Sequence, residues 1–455
     1  MRDIKFKNIN KVHFIGIGGI GVSAIARMMI LEGKIVSGSD QGSTIVTEEL
    51  AKLGATIYTS QKAEHISVDI DLVIYSIAVP PSNPEFAKAQ EFHIPMLTYP
   101  EALGQISRDK YTIAVAGTHG KTTTTAMIAK VFLDGGLNPT VVVGSFLKDY
   151  KSNFIAGASQ YFIAEACEYR RSFLNLHPKI LVITNIEADH LDYYKDLADI
   201  QSAFRELAER VPIDGFIVCN PSDSHLVSVL AGVKAKIIDY TKINAEGLAL
   251  KFPGAHMVAD AKAALAVAEV IGLSPSTALR ALNEFRGTWR RFDYKGQTDK
   301  GAEVYDDYAH HPQEIEATIS GAQEKYPGRK IIVVFQPHLY SRTKEHLAEF
   351  GRALALADQV ILVPIYAARE ADDGTIRSED VVAAITKNGG TAVVADNLAT
   401  ATAQAAAVGD SGSVILVMGA GDVTTVATAL VEKPIINPKS EARNPKQKDS
   451  KAQIY

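Results

Sequence analysis

The sequence predicts an α/β fold of three domains, and three observations predict it. Short apolar runs recur along the chain: KVHFIGIG, DLVIYSIAV, YTIAVAG, KILVITNI, GFIVCN, KIIVVFQP, QVILVPIY and SVILVMGAG. Runs of this type suit strands buried on both faces of a parallel sheet. Helical patterns alternate with them, as in SAIARMMILEG and TTTTAMIAKVFLDGG, each closed by glycine. The length of 455 residues then corresponds to about three domains at ~100–200 residues each.

The first strand runs into the turn HFIGIGGIGVSAIA, with Gly16, Gly18, Gly19 and Gly21 ahead of a helix. Asp40 ends KIVSGSD, 19 residues after Gly21. This is a nearly complete dinucleotide-binding fingerprint. A diphosphate would sit on the helix N-terminus, with a ribose or base near Asp40. The N-terminal domain is therefore expected to be Rossmann-like and to end at YPEALGQISRDK, giving the span 1–108. Alone, the turn suggests an NAD-dependent oxidoreductase. It also fits a turn needed only to pack helix on sheet.

The second domain, expected over 109–289, opens with VAGTHGKTTTTAMIAKVF. The usual phosphate-loop pattern needs a glycine where this chain has Val115, and the earlier glycine is Gly117. A tighter loop from Gly117 through Thr118, His119 and Gly120 still delivers the chain to a helix N-terminus, where unpaired amides attract phosphate. Gly120 lets the backbone approach, Lys121 can pair with terminal phosphates, and Thr122 can place its hydroxyl on Mg²⁺, with Thr123 following. A central sheet of the P-loop ATPase type is implied. Glu165 ends QYFIAE and His190 follows LVITNI, both at strand ends that line the ligand crevice of an open sheet. Glu165 could complete a magnesium site with Thr122. His190 could serve a second ion, although magnesium prefers oxygen.

The stretch RGTWRRFDYKG leads into a third domain, expected over 290–432. Its last strand feeds another glycine turn, VMGAGDV, with Gly419, Gly421 and Asp422, which fits either phosphate contact or a tight strand–helix turn. The polar tail over 433–455 is expected to be exposed.

Composition narrows the function. The net charge of −5 argues against a nucleic-acid partner. No uncharged run reaches the ~18–20 residues needed to cross a bilayer, so no membrane insertion is expected. Glycines and Arg27 break the first apolar run, which does not fit a signal peptide. Cys167 and Cys219 offer no disulfide framework and are expected to be two buried thiols in a cytoplasmic protein. Two separate phosphate-binding turns point to an enzyme that spends ATP on a nucleotide-linked substrate.

The set HFIGIGGIG, GTHGKTTT, EACEYRRSFL, TNIEADHLD, RRF, DDYAHHPQEI, FQPHLYSRT and MGAGDV resembles the Mur ligases, in family order from His13 to Val423. The resemblance implies three domains with a Rossmann-like third. It implies ATP-dependent joining of L-alanine to the lactyl carboxylate of UDP-N-acetylmuramate, through an acyl phosphate, in cytoplasmic cell-wall precursor synthesis. It also implies a role for Asn185 in orienting ATP or the acyl intermediate, for Arg290 or Arg291 on ATP phosphates, and for Asp306 or Asp307 on the ribose. His310 and His311 would lie near the amino-acid site, and Arg342 would grip the alanine carboxylate with its fork of donors. A monomer or weak homodimer is expected.

The chain departs from the family pattern in places. Leu339 stands where many relatives carry arginine, which leaves more to Arg342. GAHMVADA has Met257 and Asp260 at two positions that are usually asparagine and contact adenine. EACEYRRSF replaces a more acidic form but keeps Glu165, and IQSAFRELAERVP has no lysine to be carbamylated. The close rival is a family member that joins a recycled tripeptide to the same UDP sugar. A UDP-sugar-binding protein without turnover is a third option.

Overall fold

The computed structural model describes residues 4–150, 152–191, 193–368 and 370–432, so the tail at 433–455 lies outside the described residues. Three sheets follow one another along the chain. The first holds β1 (Lys11–Ile15), β2 (Ile35–Ser39), β3 (Thr56–Tyr58), β4 (Leu72–Tyr75) and β5 (Met96–Thr98) in the order β3-β2-β1-β4-β5, every pair parallel. Its helices are α1 (Ile20–Leu31), α2 (Ile45–Lys52), α3 (Pro84–Glu91) and α4 (Tyr99–Arg108). Start and stop signals are local: Thr44 and Thr98 close capping boxes on α2 and α4, and Gly33 takes φ 79° just past α1.

The second sheet holds β6 (Tyr111–Ala116), β7 (Thr140–Leu147), β8 (Ser152–Ile155), β9 (Tyr161–Glu165), β10 (Ile180–Ile183), β11 (Phe216–Cys219) and β12 (Lys236–Asp239). Their order is β12-β11-β10-β6-β9-β7-β8, and β7 with β8 is antiparallel. Helices α5 (Lys121–Asp134), α6 (Leu197–Glu209), α7 (Ser224–Leu230), α8 (Ala255–Ile271) and α9 (Pro275–Glu284) accompany it. Thr122–Thr125 are poor helix formers, yet all four are buried in α5, so packing overrides propensity there.

The third sheet holds β13 (Asp293–Gln297), β14 (Glu303–Asp307), β15 (Lys330–Phe335), β16 (Gln359–Leu362), β17 (Ala392–Val394) and β18 (Ser413–Met418) in the order β13-β14-β18-β15-β16-β17. Helices α10 (Pro312–Lys325), α11 (Tyr340–Glu345), α12 (Leu347–Leu354), α13 (Ser378–Lys387), α14 (Leu398–Val408) and α15 (Thr424–Val431) belong to this part of the chain. By compactness the described residues form two units. One contains the first two sheets through Asp293 together with Asp307–Gly328, and the other contains Tyr294–Asp306 and the chain from Arg329. Each apolar run named from sequence is a strand, and the fold is α/β with three sheets. Among the described residues no helix is long and apolar enough to cross a membrane. The cysteines depart from expectation: Cys219 is buried, but Cys167, two residues past β9, is exposed.

Candidate active site

The loop between β6 and α5 works despite its unusual glycine spacing. Gly117 takes φ 141°, and a Cβ there would come within 1.9 Å of Thr184 Oγ1. Gly120 caps α5 in the left-handed region, at φ 80°. The segment after β10 braces the loop. Asn185 accepts from the His119 amide at 2.9 Å and donates back to the His119 carbonyl at 3.2 Å, while its own carbonyl accepts from the Thr118 amide. The Glu187 amide donates to Thr118 Oγ1 at 2.8 Å. The α5 ladder begins with Thr124 N–H on the Gly120 carbonyl, so the amides just ahead have no intrahelical acceptor. Asn185 therefore holds the loop, and the amides of the first turn of α5 remain for phosphate.

On one side of this loop lies a cavity of about 390 Å³ lined by Lys121, Thr122, Glu165, Glu168, His190, Arg290, Arg291, His310 and His311, among others. Lys121 Nζ reaches Glu168 Oε1 at 2.9 Å and the Thr118 carbonyl at 2.8 Å. Burial alone would lower its pKa, but the charges of Glu168 and its neighbours outweigh that and raise it. Thr122 Oγ1 donates to Glu165 Oε1 at 3.0 Å, and Glu165 Oε2 accepts from the Gly144 amide. His190 stands with Nε2 3.7 Å from Glu168 Oε1, on a backbone at φ 56° that a non-glycine residue adopts at a cost of about 1–3 kcal/mol. Arg290 has the same strained φ of 56° and is buried, its guanidinium 5.2 Å from the Tyr308 ring centre.

Hydroxyl and carboxylate oxygens from Thr122 and Glu165 fit Mg²⁺, which keeps several waters and takes few protein ligands. Glu168 Oε2 is a further buried oxygen without a hydrogen-bond partner. Among the described residues no three His, Cys, Asp or Glu side chains cluster as a ready metal cage.

On the other side of the loop a cavity of about 420 Å³ is lined by His119, Gly120, Thr123, Tyr240, His256, Met257, Asp260, Arg291, Phe292, Asp307, Glu314 and others. Tyr240, Met257 and Phe292 give it apolar faces of the sort a flat base needs. Asp260 is buried on α8, so close to the loop that a Cβ on Gly120 would meet its Oδ1 at 2.6 Å. Burial pushes its carboxyl up to about 8, partly offset by the Thr124 hydroxyl and Arg291. Burial also pushes Asp307 up to about 6 against the pull of Arg291.

Glu314 borders both cavities and was not anticipated from sequence. It closes the capping box of α10, accepts from the His310 and His311 amides at 3.1 and 3.3 Å, and lies 3.6 Å from Arg291 Nη1. Its Oε1 is 3.3 Å from His119 Nδ1, and Glu187 Oε2 is 3.7 Å from His119 Nε2. Burial works against a charged His119, but the two carboxylates prevail and push it up to about 9.

In the first sheet, Gly16 takes φ 79°, Gly19 caps α1, and a Cβ on Gly21 would strike the Tyr99 ring at 2.5 Å. Asp40 Oδ2 accepts from the Gly18 amide at 2.7 Å, so the acidic residue and the glycine turn do meet.

Three remaining candidates lie in the second unit. Asp306 is fully buried in the second unit and accepts from Thr424 Oγ1 at 2.6 Å, while Asp307 lines the larger cavity. Alternation along β14 turns the two neighbours to opposite faces. Arg342 lies in the second unit, 3.4 Å from His338 Nδ1. In the third glycine turn Gln336 donates to Asp422 Oδ1 at 2.7 Å and accepts from the Val423 amide, so the turn is filled by its own unit.

Family models match three consecutive stretches: "Mur ligase family, catalytic domain" over 11–111, "Mur ligase middle domain" over 115–251, and "Mur ligase, glutamate ligase domain" over 290–421. The UDP-N-acetylmuramate–L-alanine ligase of Agathobacter rectalis is 41% identical over 461 residues, covering 95% of this chain and 100% of that one. Among solved structures, the UDP-N-acetylmuramate–alanine ligase of Thermotoga maritima is similar with TM-score 0.76 and 30% identity, over 92% and 98% of the two chains. A murein peptide ligase from Psychrobacter arcticus is similar with TM-score 0.70 and 25% identity, over 92% and 98%. These matches set aside the oxidoreductase reading of the first turn.

Proposed function

The chain belongs to the Mur ligase family, and from that premise we propose that it joins L-alanine to the lactyl carboxylate of UDP-N-acetylmuramate at the expense of ATP. One observation carries the reading: two cavities meet the phosphate loop, and His119, Arg291 and Glu314 border both. The apolar-faced cavity suits adenosine. The other, with Lys121, Arg290 and Arg291 in its wall beside several carboxylates, suits the carboxylate to be activated and the incoming amine.

A carboxylate is a poor acyl donor, because oxide would have to leave. Its oxygen therefore attacks the γ-phosphorus, ADP departs, and an acyl phosphate forms. The alanine amine then attacks the acyl carbon, phosphate leaves, and the new amide nitrogen gives up a proton. The first step needs position and charge neutralisation more than covalent help. Lys121 supplies a charge at the transferring group, and Arg290 and Arg291 border the same cavity with fixed guanidinium donors. Thr122 and Glu165 would hold Mg²⁺, with His190 near it, and the ion when bound would neutralise phosphate charge. His310 and His311 face the cavity where the amine would enter. Arg342 is assigned the alanine carboxylate, and the first glycine turn with Asp40 is assigned the UDP.

The test is product mass after incubating the protein with UDP-N-acetylmuramate, Mg-ATP and a mixture of amino acids. The expected product is the L-alanyl adduct, with ADP released in equal amount. A murein tripeptide offered in parallel separates the recycling activity, and its preferential use would overturn the assignment.

A further inference from the structure

A buried carboxylate stands behind the first glycine turn and lines neither cavity of the phosphate loop. Glu85 is fully buried in the first turn of α3. It accepts from the Ser39 hydroxyl, from His65 Nδ1 at 2.7 Å and from the Lys62 amide at 3.3 Å, and His13 Nε2 lies 3.5 Å away. A carboxylate offers about four acceptor directions, so these contacts nearly exhaust it. They outweigh the penalty of burial and lower its pKa. Ser39 and His13 are themselves fully buried, and His13 Nδ1 meets Ser37 Oγ at 2.9 Å. His65 in turn stacks on Tyr58 with ring centres 3.8 Å apart.

Ser39 is the link from this cluster to the turn. Its carbonyl accepts both the Gly16 amide at 2.9 Å and the Ile17 amide at 3.0 Å. The next residue, Asp40, accepts from the Gly18 amide through its side chain, and its own amide donates to the Tyr58 carbonyl. Three successive amides of the turn are thus fixed by Ser39 and Asp40. Ser39 is tied to Glu85, and Tyr58 is tied through His65 to the same carboxylate. A loop that must present amides to a diphosphate works only if its backbone is held before the ligand arrives.

We propose that Glu85 is a positioning residue for the first glycine turn, acting through Ser39 to preorganise the turn for the diphosphate of the UDP sugar. It touches no ligand. The inference rests on the reading of that turn as the UDP site.

Steady-state kinetics on the full chain test it, with UDP-N-acetylmuramate and ATP varied in turn. Glu85→Gln keeps the shape but replaces an acceptor oxygen by a donor. The KM for the UDP sugar is expected to rise about tenfold, the scale of one charge-assisted hydrogen bond partly lost. The kcat and the KM for ATP should stay as they are. Ser39→Ala should move the same KM, and the double variant should be no worse than Glu85→Gln, because both remove one link. If Glu85→Gln does not fold, Ser39→Ala carries the test. An unchanged sugar KM, additive losses in the double variant, or a parallel fall in kcat and melting temperature overturns the proposal. Asp40→Ala runs alongside. If it raises the sugar KM while Glu85→Gln does not, the positioning role alone fails. If it also changes nothing, the turn is not the sugar site.

Discussion

Lys121 Nζ lies 2.9 Å from Glu168 Oε1, with the two side chains 14% and 4% exposed. This pair forms where the phosphate loop meets the cavity of about 390 Å³, and on the proposed reading it places a charge where the γ-phosphate would arrive. Lys121→Ala is expected to abolish ADP release with all substrates present. UDP-sugar binding should persist, because the first glycine turn belongs to a different sheet. Removing one partner of a buried pair also leaves the other uncompensated, a loss of about 3 kcal/mol. Calorimetric titration of the sugar and a thermal melt check both parts. Loss of sugar binding in folded variant protein would count against the division of labour.

Arg342→Ala should mainly raise the KM for L-alanine, by about tenfold or more, since a bidentate guanidinium–carboxylate contact is worth more than one ordinary hydrogen bond. Neither the KM for ATP nor that for the UDP sugar should follow. An alanine KM equal to that of the parent enzyme removes the assignment, and leaves the cavity-lining residues His310 and His311 as the candidates for the amino-acid site.

What the sequence made legible was local. Glycine turns, a lysine at a helix start and carboxylates at strand ends are written in consecutive residues, and they make Lys121, Thr122, Glu165 and Asp40 candidates. The partners that set their chemistry are distant in sequence: Glu314 meets His119 across 195 positions. No spacing rule reaches that far. Glu168 is closer to hand, three residues beyond Glu165, but a second acid after a strand looks like an ordinary solvated carboxylate until Lys121 is seen against it. Which of Asp306 and Asp307 lines the larger cavity depends on the face of β14, which two adjacent aspartates do not reveal. The antiparallel edge pair β7 and β8 was likewise invisible, because Gly144 and a polar stretch interrupt its apolar pattern.

Asp260 gives a pH signature in the larger cavity. Its carboxyl is raised to about 8 in the folded chain, against 3.8 when unfolded. Between those values the unfolded chain is ionised while the folded one keeps its proton, so folding takes up a proton and stability falls as pH rises. Above about pH 8 the penalty is complete. Asp260→Asn does not titrate, so its gain in melting temperature over the parent should grow from pH 4 to 8 and then level. The same reasoning applies to ATP: a carboxylate ionised beside Gly120 repels phosphate, so parent affinity should drop above pH 8 while the variant stays flat. A melting difference independent of pH would show that Asp260 is already charged at neutrality.

His119 should behave in the opposite sense. Its imidazolium, held between Glu187 and Glu314, is raised to about 9 from 6.5. The folded chain therefore binds the proton more tightly than the unfolded one. The stabilisation is present in full below pH 6.5 and disappears as pH rises through about 9. His119→Gln should cost most near pH 6, and the cost should shrink toward nothing beyond pH 9. Glu314→Gln should weaken the pH dependence in otherwise parent protein, because one of the two carboxylates that hold the proton is gone. Chemical unfolding at a series of pH values measures each curve. A His119→Gln penalty that stays constant from pH 6 to 10 would mean that packing rather than charge joins the phosphate loop to α10.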